Sequence, residues 1–239
     1  MHRGGTRALD AGDRYRDDMK PWETLATART PDGSELILRR HDGEYVIRAD
    51  GYDLMTSRMH DSEEGMMALA CPHPRPGARV LIGGLGMGYT LRSALALLPP
   101  DGEAIVGELI PEVVEWNRGP LGPLAGNPLD DPRSSVVMGD VGRTIRRSDS
   151  GAYDAILLDV DNGPSAPTQR GNSWLYTLGG LAAAHRALRP GGGLAIWALD
   201  NERNFERQLR AAGFTPSTHL VTAHGTRGKR HVVFLGKRR

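Results

Sequence analysis

The sequence predicts an α/β protein in which a mostly parallel, seven-stranded sheet follows a small antiparallel β module. Three observations predict this architecture. Asp-Gly pairs separate short, half-apolar runs in the first quarter of the chain, and a glycine-dense turn, Gly83–Gly88, joins an apolar run to a leucine-rich helical pattern. Beyond that turn, apolar runs alternate with helical stretches, which is typical of a parallel sheet covered by helices on both faces.

The length of the chain suits one large core with a small appendage. Its 239 residues exceed the ~100–200 residues of an ordinary single domain. We predict three segments: a loose arm rich in charge and glycine over 1–19, the β module with a linking helix over 20–71, and the α/β domain over 72–239.

The composition excludes several functional classes. Thirty basic residues against 29 acidic ones leave a formal net charge of +1, which predicts no general attraction to nucleic acids or acidic membranes. The basic run Arg227–His231 is interpreted as a solvated hairpin tip. The single cysteine, Cys71, cannot form an internal disulfide, and no apolar run approaches the ~18 residues that span a bilayer, so we expect a soluble, cytoplasmic protein. The histidines show no metal-ligand spacing, and we predict no metal.

The β module is predicted between Trp22 and Ser57. Its short runs are separated by Asp32-Gly33, Asp42-Gly43 and Asp50-Gly51. Because Asp-Gly tolerates the positive φ that tight hairpins require, three such pairs indicate an antiparallel meander of three or four strands.

A linking helix is predicted over Asp61–Cys71, with Ser62 as its cap and two glutamates in its first turn, where carboxylates favour the positive end of the helix dipole. Pro72–Gly77 then breaks the helix.

The α/β part is predicted to alternate strands with helices. The strands are Arg79–Ile82, Ala104–Glu108, Ser135–Met138, Tyr153–Asp159 and Gly193–Leu199. The helices are Tyr89–Leu98, Pro111–Arg118, Val141–Arg147, Ser173–Leu188 and Asn201–Ala212. Two further runs around the turn-rich His224–Lys229 predict a closing antiparallel hairpin.

Glycine and acidic residues follow the first two of these strands. Gly83, Gly84, Gly86 and Gly88 open the first helix, and bare backbone there lets a ligand approach the chain closely. Glu108 ends the next strand, 22 residues beyond Gly86, which is where nucleotide-binding sheets commonly place a carboxylate for ribose hydroxyls. The pair predicts a nucleoside site, whereas either part alone is also explained by turns and caps.

The next two strands end in polar residues as well. Asp140 and Val141 follow the third strand, where an acid can accept from an adenine amino group, and Asp159, Asp161 and Asn162 follow the fourth. Since the carboxyl ends of parallel strands share one edge of the sheet, we expect all of these residues to line one site. The alternative to a role in this site is that Asp159 caps a turn and that Asp161 forms one.

This order of motifs resembles that of class I S-adenosylmethionine-dependent methyltransferases, which have a Rossmann-like fold, and is more similar to that of the spermidine synthase (polyamine aminopropyltransferase) family. The resemblance covers Trp22 to the C-terminus. It implies that the glycine loop contacts the amino-acid-derived tail of the nucleoside, Glu108 the ribose, and Asp140-Val141 the adenine. It implies Asp159 as the catalytic base, with Asp161 beside it.

The sequence departs from the family pattern at three places. Gly86 or Met87 stands where the family loop has an aspartate, Asn162 stands at the second aspartate of the catalytic segment, and Ser62 stands at a tyrosine of the acceptor segment. That segment keeps a glutamate, which we assign to Glu64. For the acceptor site the resemblance further implies Asn162 and an aromatic wall, for which Trp174 and Tyr176 are the candidates, although both rings can equally pack the helix on the sheet.

Three functions follow from the resemblance. The first is transfer of an aminopropyl group from decarboxylated S-adenosylmethionine to an amine, which releases 5′-methylthioadenosine. The second is methyl transfer from S-adenosylmethionine to a small molecule, which releases S-adenosylhomocysteine, and the third is a noncatalytic nucleoside-binding homologue. The resemblance also implies a homodimer.

Overall fold

The computed structural model describes residues 21–160, 170–202, 204–224 and 227–239. The predicted arm over 1–19 and the site candidates Asp161 and Asn162 lie outside the described residues. Within the described ranges the chain forms two sheets, one of four strands and one of seven.

The four-stranded sheet is an antiparallel meander of β1 (Glu23–Arg29), β2 (Glu35–His41), β3 (Glu44–Ala49) and β4 (Tyr52–Thr56). Asp42 and Asp50 have φ angles of 45° and 47°. Each is followed by a glycine that also has positive φ, as two-residue hairpin turns require. Local turn chemistry therefore fixes the pairing of these strands.

The seven-stranded sheet has the order β10-β11-β9-β8-β5-β6-β7. Neighbouring strands from β9 to β7 run parallel, and β11 runs antiparallel to both β9 and β10. The predicted fold class is confirmed. The strand bounds are β5 Arg79–Gly83, β6 Glu103–Glu108, β7 Ser134–Met138, β8 Tyr153–Leu158, β9 Leu188–Ala198, β10 Phe214–His224 and β11 Arg227–Arg238.

Helices cover both faces of this sheet. The first face carries α1 (Asp61–Ala70), α2 (Tyr89–Leu97) and α3 (Pro111–Arg118), and the second carries α4 (Val141–Arg147), α5 (Leu178–Ala187) and α6 (Phe205–Ala211). Buried residues of the four-stranded sheet, among them Leu38 and Ile47, join the core on the first face. No helix within the described residues has both the length and the apolar character needed to cross a membrane.

The structure corrects three predicted helix boundaries, one of them at α6, which begins at Phe205 and not at Asn201. Helix α1 begins at Asp61 with His60 at its N-cap position, so Ser62 lies inside the helix. The predicted helix Ser173–Leu188 is divided into a short 3₁₀ helix, Arg170–Tyr176, and α5. The division falls at Thr177, whose hydroxyl accepts a hydrogen bond from the Gly180 N–H at 3.2 Å and caps α5.

Candidate functional site

The carboxyl ends of four neighbouring strands are joined by backbone hydrogen bonds. The Asp159 N–H donates to the Gly83 carbonyl at 3.0 Å, the Gly84 N–H to the Gly107 carbonyl at 2.9 Å, and the Gly139 N–H to the Glu108 carbonyl at 2.7 Å. The ladder thus continues past the strands themselves. It brings the glycine turn and the three acid-bearing strand ends to one edge of the sheet.

A cleft lies between this edge and the four-stranded sheet. From the predicted set it is lined by Gly84, Gly86, Glu108, Asp140, Val141 and Asp159. Sequence analysis missed the opposite wall, which is formed by Ile47, Leu54 and Met55. These three residues lie on β3 and β4, and only the packing of the two sheets brings them to the site.

The glycine turn is required first by packing within the protein. Gly84 has a φ of 84°, and a Cβ placed on it would lie 2.5 Å from the carbonyl oxygen of Asp159. A Cβ on Gly86 would lie 2.8 Å from the Met55 methyl group. Gly83 and Gly88 are not among the lining residues of the cleft. The turn therefore lets neighbouring strand ends meet, and its contact with a ligand stays a prediction.

Asn117 holds the far side of this turn. Its side-chain amide donates to the Gly86 carbonyl at 2.8 Å and to the Val113 carbonyl at 2.9 Å, and the residue is 2% exposed. Sequence analysis noted its helix but assigned Asn117 no role. The signal was a polar residue at a position of α3 that faces the core, where a buried amide needs partners.

Glu108 is buried at the end of β6 and accepts three backbone hydrogen bonds. The Leu85 N–H donates to Oε2 at 2.8 Å, and the N–H groups of Leu109 and Ile110 donate to Oε1 at 2.8 and 2.9 Å. Burial raises the pKa of this carboxyl, and the three donors act against that shift. A carboxylate offers about four acceptor positions, so one position on Oε2 remains for a ligand hydroxyl.

Asp140 is the N-cap of α4. Its Oδ1 accepts from the Gly142 N–H at 2.7 Å, and its Oδ2 lies 3.7 Å from the Arg146 guanidinium. Val141 is buried and lies beside it in the cleft wall. Asp140 therefore has a capping role within the protein, and the adenine contact stays a prediction.

Asp159 follows β8 and lines the cleft. Its Oδ2 accepts a hydrogen bond from the hydroxyl of Thr90 at 3.0 Å. Burial raises the pKa of Asp159 to about 6, against the opposing effect of the Thr90 hydrogen bond. A carboxyl with a pKa near 6 is largely ionised at neutral pH and is a stronger base than an exposed carboxylate.

The predicted acceptor residues lie outside the described lining of the cleft. The Glu64 carboxylate lies 2.5 Å from Nδ1 of His60 and forms an ion pair with Arg92. The Arg146 guanidinium carbon lies 4.3 Å from the centroid of the Trp174 ring, and Tyr176 is buried against Phe205. Asn172, which sequence analysis did not single out, does line the cleft. The acceptor roles of Glu64, Trp174 and Tyr176 stay predictions.

The described lining of the cleft carries charge of one sign. It contains the carboxylates of Glu108, Asp140 and Asp159, the amide of Asn172, and no lysine, arginine or histidine. In the part of the chain that the structure describes, no three potential metal ligands cluster together. The cleft is thus an acidic pocket with one apolar wall.

Proteins of known activity share this sequence pattern and fold. The chain is 31% identical over 159 residues to polyamine aminopropyltransferase 2 of Pseudomonas aeruginosa, an alignment that covers 65% of this chain and 43% of the relative. Spermidine synthase from Thermotoga maritima superposes with a TM-score of 0.70 at 20% identity, over 90% of this chain and 72% of that structure. The chain is thus similar in sequence to a polyamine aminopropyltransferase and in fold to a spermidine synthase.

Two further comparisons agree with this resemblance. A spermidine synthase in complex with the transition-state analogue AdoDATO superposes with a TM-score of 0.68 at 21% identity, over 90% of this chain and 72% of that one. Putrescine N-methyltransferase 4 of Nicotiana tabacum is 34% identical over 119 residues, which cover 50% of this chain and 29% of the relative. No protein-family profile matches the chain. The chain spans less than half the length of this aminopropyltransferase and of this N-methyltransferase.

Proposed function

We propose that this chain transfers an aminopropyl group from decarboxylated S-adenosylmethionine to an amine acceptor and releases 5′-methylthioadenosine. One observation carries the proposal: the described lining of the cleft contains three carboxylates and no cationic side chain. The donor carries a sulfonium and an ammonium group, and a polyamine acceptor is also cationic. A cleft of one charge sign raises the local concentration of ligands of the opposite sign.

The described residues suit the nucleoside part of this donor. The remaining acceptor position of Glu108 Oε2 suits a ribose hydroxyl, and Asp140 with Val141 suits the adenine. Gly84 and Gly86 expose backbone to the cleft, and we assign them to the aminopropyl tail. The absence of Arg and Lys from the described lining favours a donor without a carboxylate, because a carboxylate would need donors of positive charge.

The reaction requires little of the protein beyond alignment and removal of a proton. The lone pair of an uncharged acceptor nitrogen attacks the carbon bound to sulfur, the C–S bond breaks, and its electron pair stays on the sulfur as a neutral thioether. The acceptor nitrogen then loses a proton, and we propose that the free oxygen of Asp159 accepts it. Asp161, Asn162, Glu64, Trp174 and Tyr176 remain our candidates for contacting the acceptor.

Methyl transfer is the second candidate, because putrescine N-methyltransferases align with half of the chain. The two reactions differ in whether the donor retains its carboxylate. Isothermal titration of the purified chain with S-adenosylmethionine and with its decarboxylated form separates them. We expect tighter binding of the decarboxylated form, and binding of the carboxylated form alone would overturn the proposal.

Turnover tests the role of Asp159. With putrescine as the acceptor, Asp159→Asn is expected to lower kcat by roughly 10²- to 10⁴-fold, the usual contribution of a general base. The calorimetric affinity for the donor should fall far less, because Glu108 and Asp140 keep their charges. Release of 5′-methylthioadenosine measures the reaction. Donor binding without turnover across a series of polyamines would instead support the noncatalytic alternative.

We also propose that the chain works as a homodimer in the cytoplasm. The family resemblance supports the dimer, and the single cysteine supports a reducing compartment. Light scattering at micromolar concentration tests the dimer, and a monomeric mass contradicts it.

A further inference from the structure

Thr90 lies beneath the cleft, in the first turn of α2 and two residues after Gly88. It is 3% exposed and is not among the residues that line the cleft. Its hydroxyl nevertheless donates to Oδ2 of Asp159 at 3.0 Å. A buried hydroxyl therefore supports the one carboxylate that the reaction is proposed to use as a base.

We propose that Thr90 is a positioning residue that holds Oδ2 of Asp159 below the cleft and so presents Oδ1 to the acceptor nitrogen. This inference rests on the proposed function. A carboxylate joined to its chain by two rotatable bonds has many orientations, and a hydrogen bond to one oxygen selects among them. Thr90 does not touch either substrate in this arrangement and acts through Asp159.

Backbone contacts join the segments that carry Thr90 and Asp159. Gly84 packs against the Asp159 carbonyl, and the Asp159 N–H donates to the Gly83 carbonyl. Thr90 follows the same turn within the helix that begins at Tyr89. The turn that we assign to the donor tail and the hydroxyl that orients the base are consequently parts of one connected unit.

Few other charged or hydrogen-bonding groups among the described residues lie near the Asp159 carboxylate. Glu108 on β6 and Asp140 before α4 line the same cleft, and both are held by backbone N–H donors of their own segments. Among the described residues no ion pair to Asp159 is recorded. Thr90 is the hydrogen-bonding side chain that lowers the pKa of Asp159 against the effect of burial.

Two substitutions separate the hydroxyl from the volume of Thr90. Thr90→Val keeps the shape and removes the donor, whereas Thr90→Ser keeps the donor and removes a methyl group. For Thr90→Val we expect kcat to fall roughly 10-fold, the acid limb of the pH profile of kcat/KM to move to higher pH, and the KM for the donor to stay within about twofold. Thr90→Ser should restore both kcat and the profile.

A second readout does not depend on turnover. The chemical shift of the ¹³C-labelled Asp159 carboxyl, assigned by its loss in Asp159→Asn, reports its protonation in the wild type and in both variants. The apparent pKa is expected near 6 in the wild type and in Thr90→Ser, and higher in Thr90→Val. Circular dichroism confirms that each variant is folded.

The outcomes distinguish this inference from the proposed function. If the wild type transfers no aminopropyl group, the proposed function fails, and the titration then decides only whether the Thr90 hydroxyl holds Oδ2 of Asp159. A raised apparent pKa of Asp159 in Thr90→Val that is absent from Thr90→Ser supports the hydrogen bond on which the inference rests. An unchanged titration in Thr90→Val, a kcat within twofold of the wild type, or an equal loss in Thr90→Ser overturns the inference.

Discussion

Glu108 and Asp159 are two carboxylates of one cleft that the protein stabilises in different ways. Glu108 accepts hydrogen bonds from three backbone N–H groups, whereas the Asp159 carboxylate accepts one from the Thr90 hydroxyl among the residues that the structure describes. Burial raises the pKa of both, because taking a charge out of water disfavours the ionised form. Of the two, Asp159 has fewer described donors, and it is the carboxylate that we propose as the base.

Because burial disfavours ionised Asp159, removing its charge should stabilise the folded protein by an amount that depends on pH. Because its pKa in the folded protein is raised to about 6, the folded state loses stability as the pH rises from about 4 to 6, while Asp159→Asn does not. The free energy of unfolding of Asp159→Asn relative to the wild type should therefore increase over this range by on the order of 1–2 kcal/mol and then stay constant. Urea denaturation from pH 4.5 to 8 measures it, with Asp149→Asn at an exposed position as the control. A pH-independent difference would contradict the account.

Glu108→Gln tests the three backbone hydrogen bonds. The amide nitrogen of glutamine cannot accept from an N–H, so at least one buried donor loses its partner. We expect a loss of about 1–3 kcal/mol in the free energy of unfolding together with weaker binding of the nucleoside. Glu103→Gln, at the solvent-exposed start of the same strand and paired with Arg79, should change both by much less. Equal effects of the two substitutions would count against this assignment.

At the scale of elements, the β5–α2 turn is determined by its neighbours. Gly84 is pressed against the Asp159 carbonyl, and Gly86 is in contact with Met55 of β4 and tied to Asn117 of α3. A glycine-dense turn is commonly explained by a ligand alone. Here the close approach of three elements accounts for the absence of side chains before any ligand binds.

Gly84→Ala and Gly126→Ala form a matched pair. Both glycines have positive φ, 84° and 72°, but a Cβ on Gly126 meets nothing within 4 Å, whereas one on Gly84 lies 2.5 Å from backbone. Gly126→Ala should cost about 1 kcal/mol, the price of the left-handed conformation. Gly84→Ala should cost several kcal/mol more or prevent folding, since backbone must move. Thermal denaturation compares the two variants. Similar losses of stability would show that the backbone of the turn adjusts to a Cβ at Gly84 at little energetic cost.

At the scale of the whole molecule, the cleft is made by two sheets. The seven-stranded sheet supplies the acids, and the four-stranded sheet supplies the apolar wall of Ile47, Leu54 and Met55. The two sheets share one hydrophobic core through Leu38 and Ile47, and Met55 packs against that core. We infer that the smaller sheet completes the donor site.

Met55→Ala tests this inference. Shortening the side chain removes apolar contact beside Gly86 and should weaken binding of the donor by roughly 5- to 10-fold. Met59→Ala is the control, because Met59 is 46% exposed and does not line the cleft. Calorimetry with the decarboxylated donor measures both, and an unchanged affinity in Met55→Ala would exclude the smaller sheet from the site.

Sequence alone determined the order of elements and one edge of the site. Asp-Gly turns dictate their own hairpins, and alternating apolar runs dictate a parallel sheet, so β1–β9 and the acids at the strand ends were predictable from local patterns. The break at Thr177 was not, because the helical pattern continues through it and only a capping hydroxyl marks the boundary.

Tertiary structure decided which side chains face one another. Met55, Asn117 and Thr90 are distant in sequence from the residues they support. The local pattern marks Asn117 as a polar residue on a core-facing position, but it names no partner for any of the three. It also placed Glu64 with His60 and Arg92, where the sequence had suggested an acceptor contact. The physical reason is that periodicity reports burial and secondary structure, whereas the partner of a buried polar group is set by how whole elements pack.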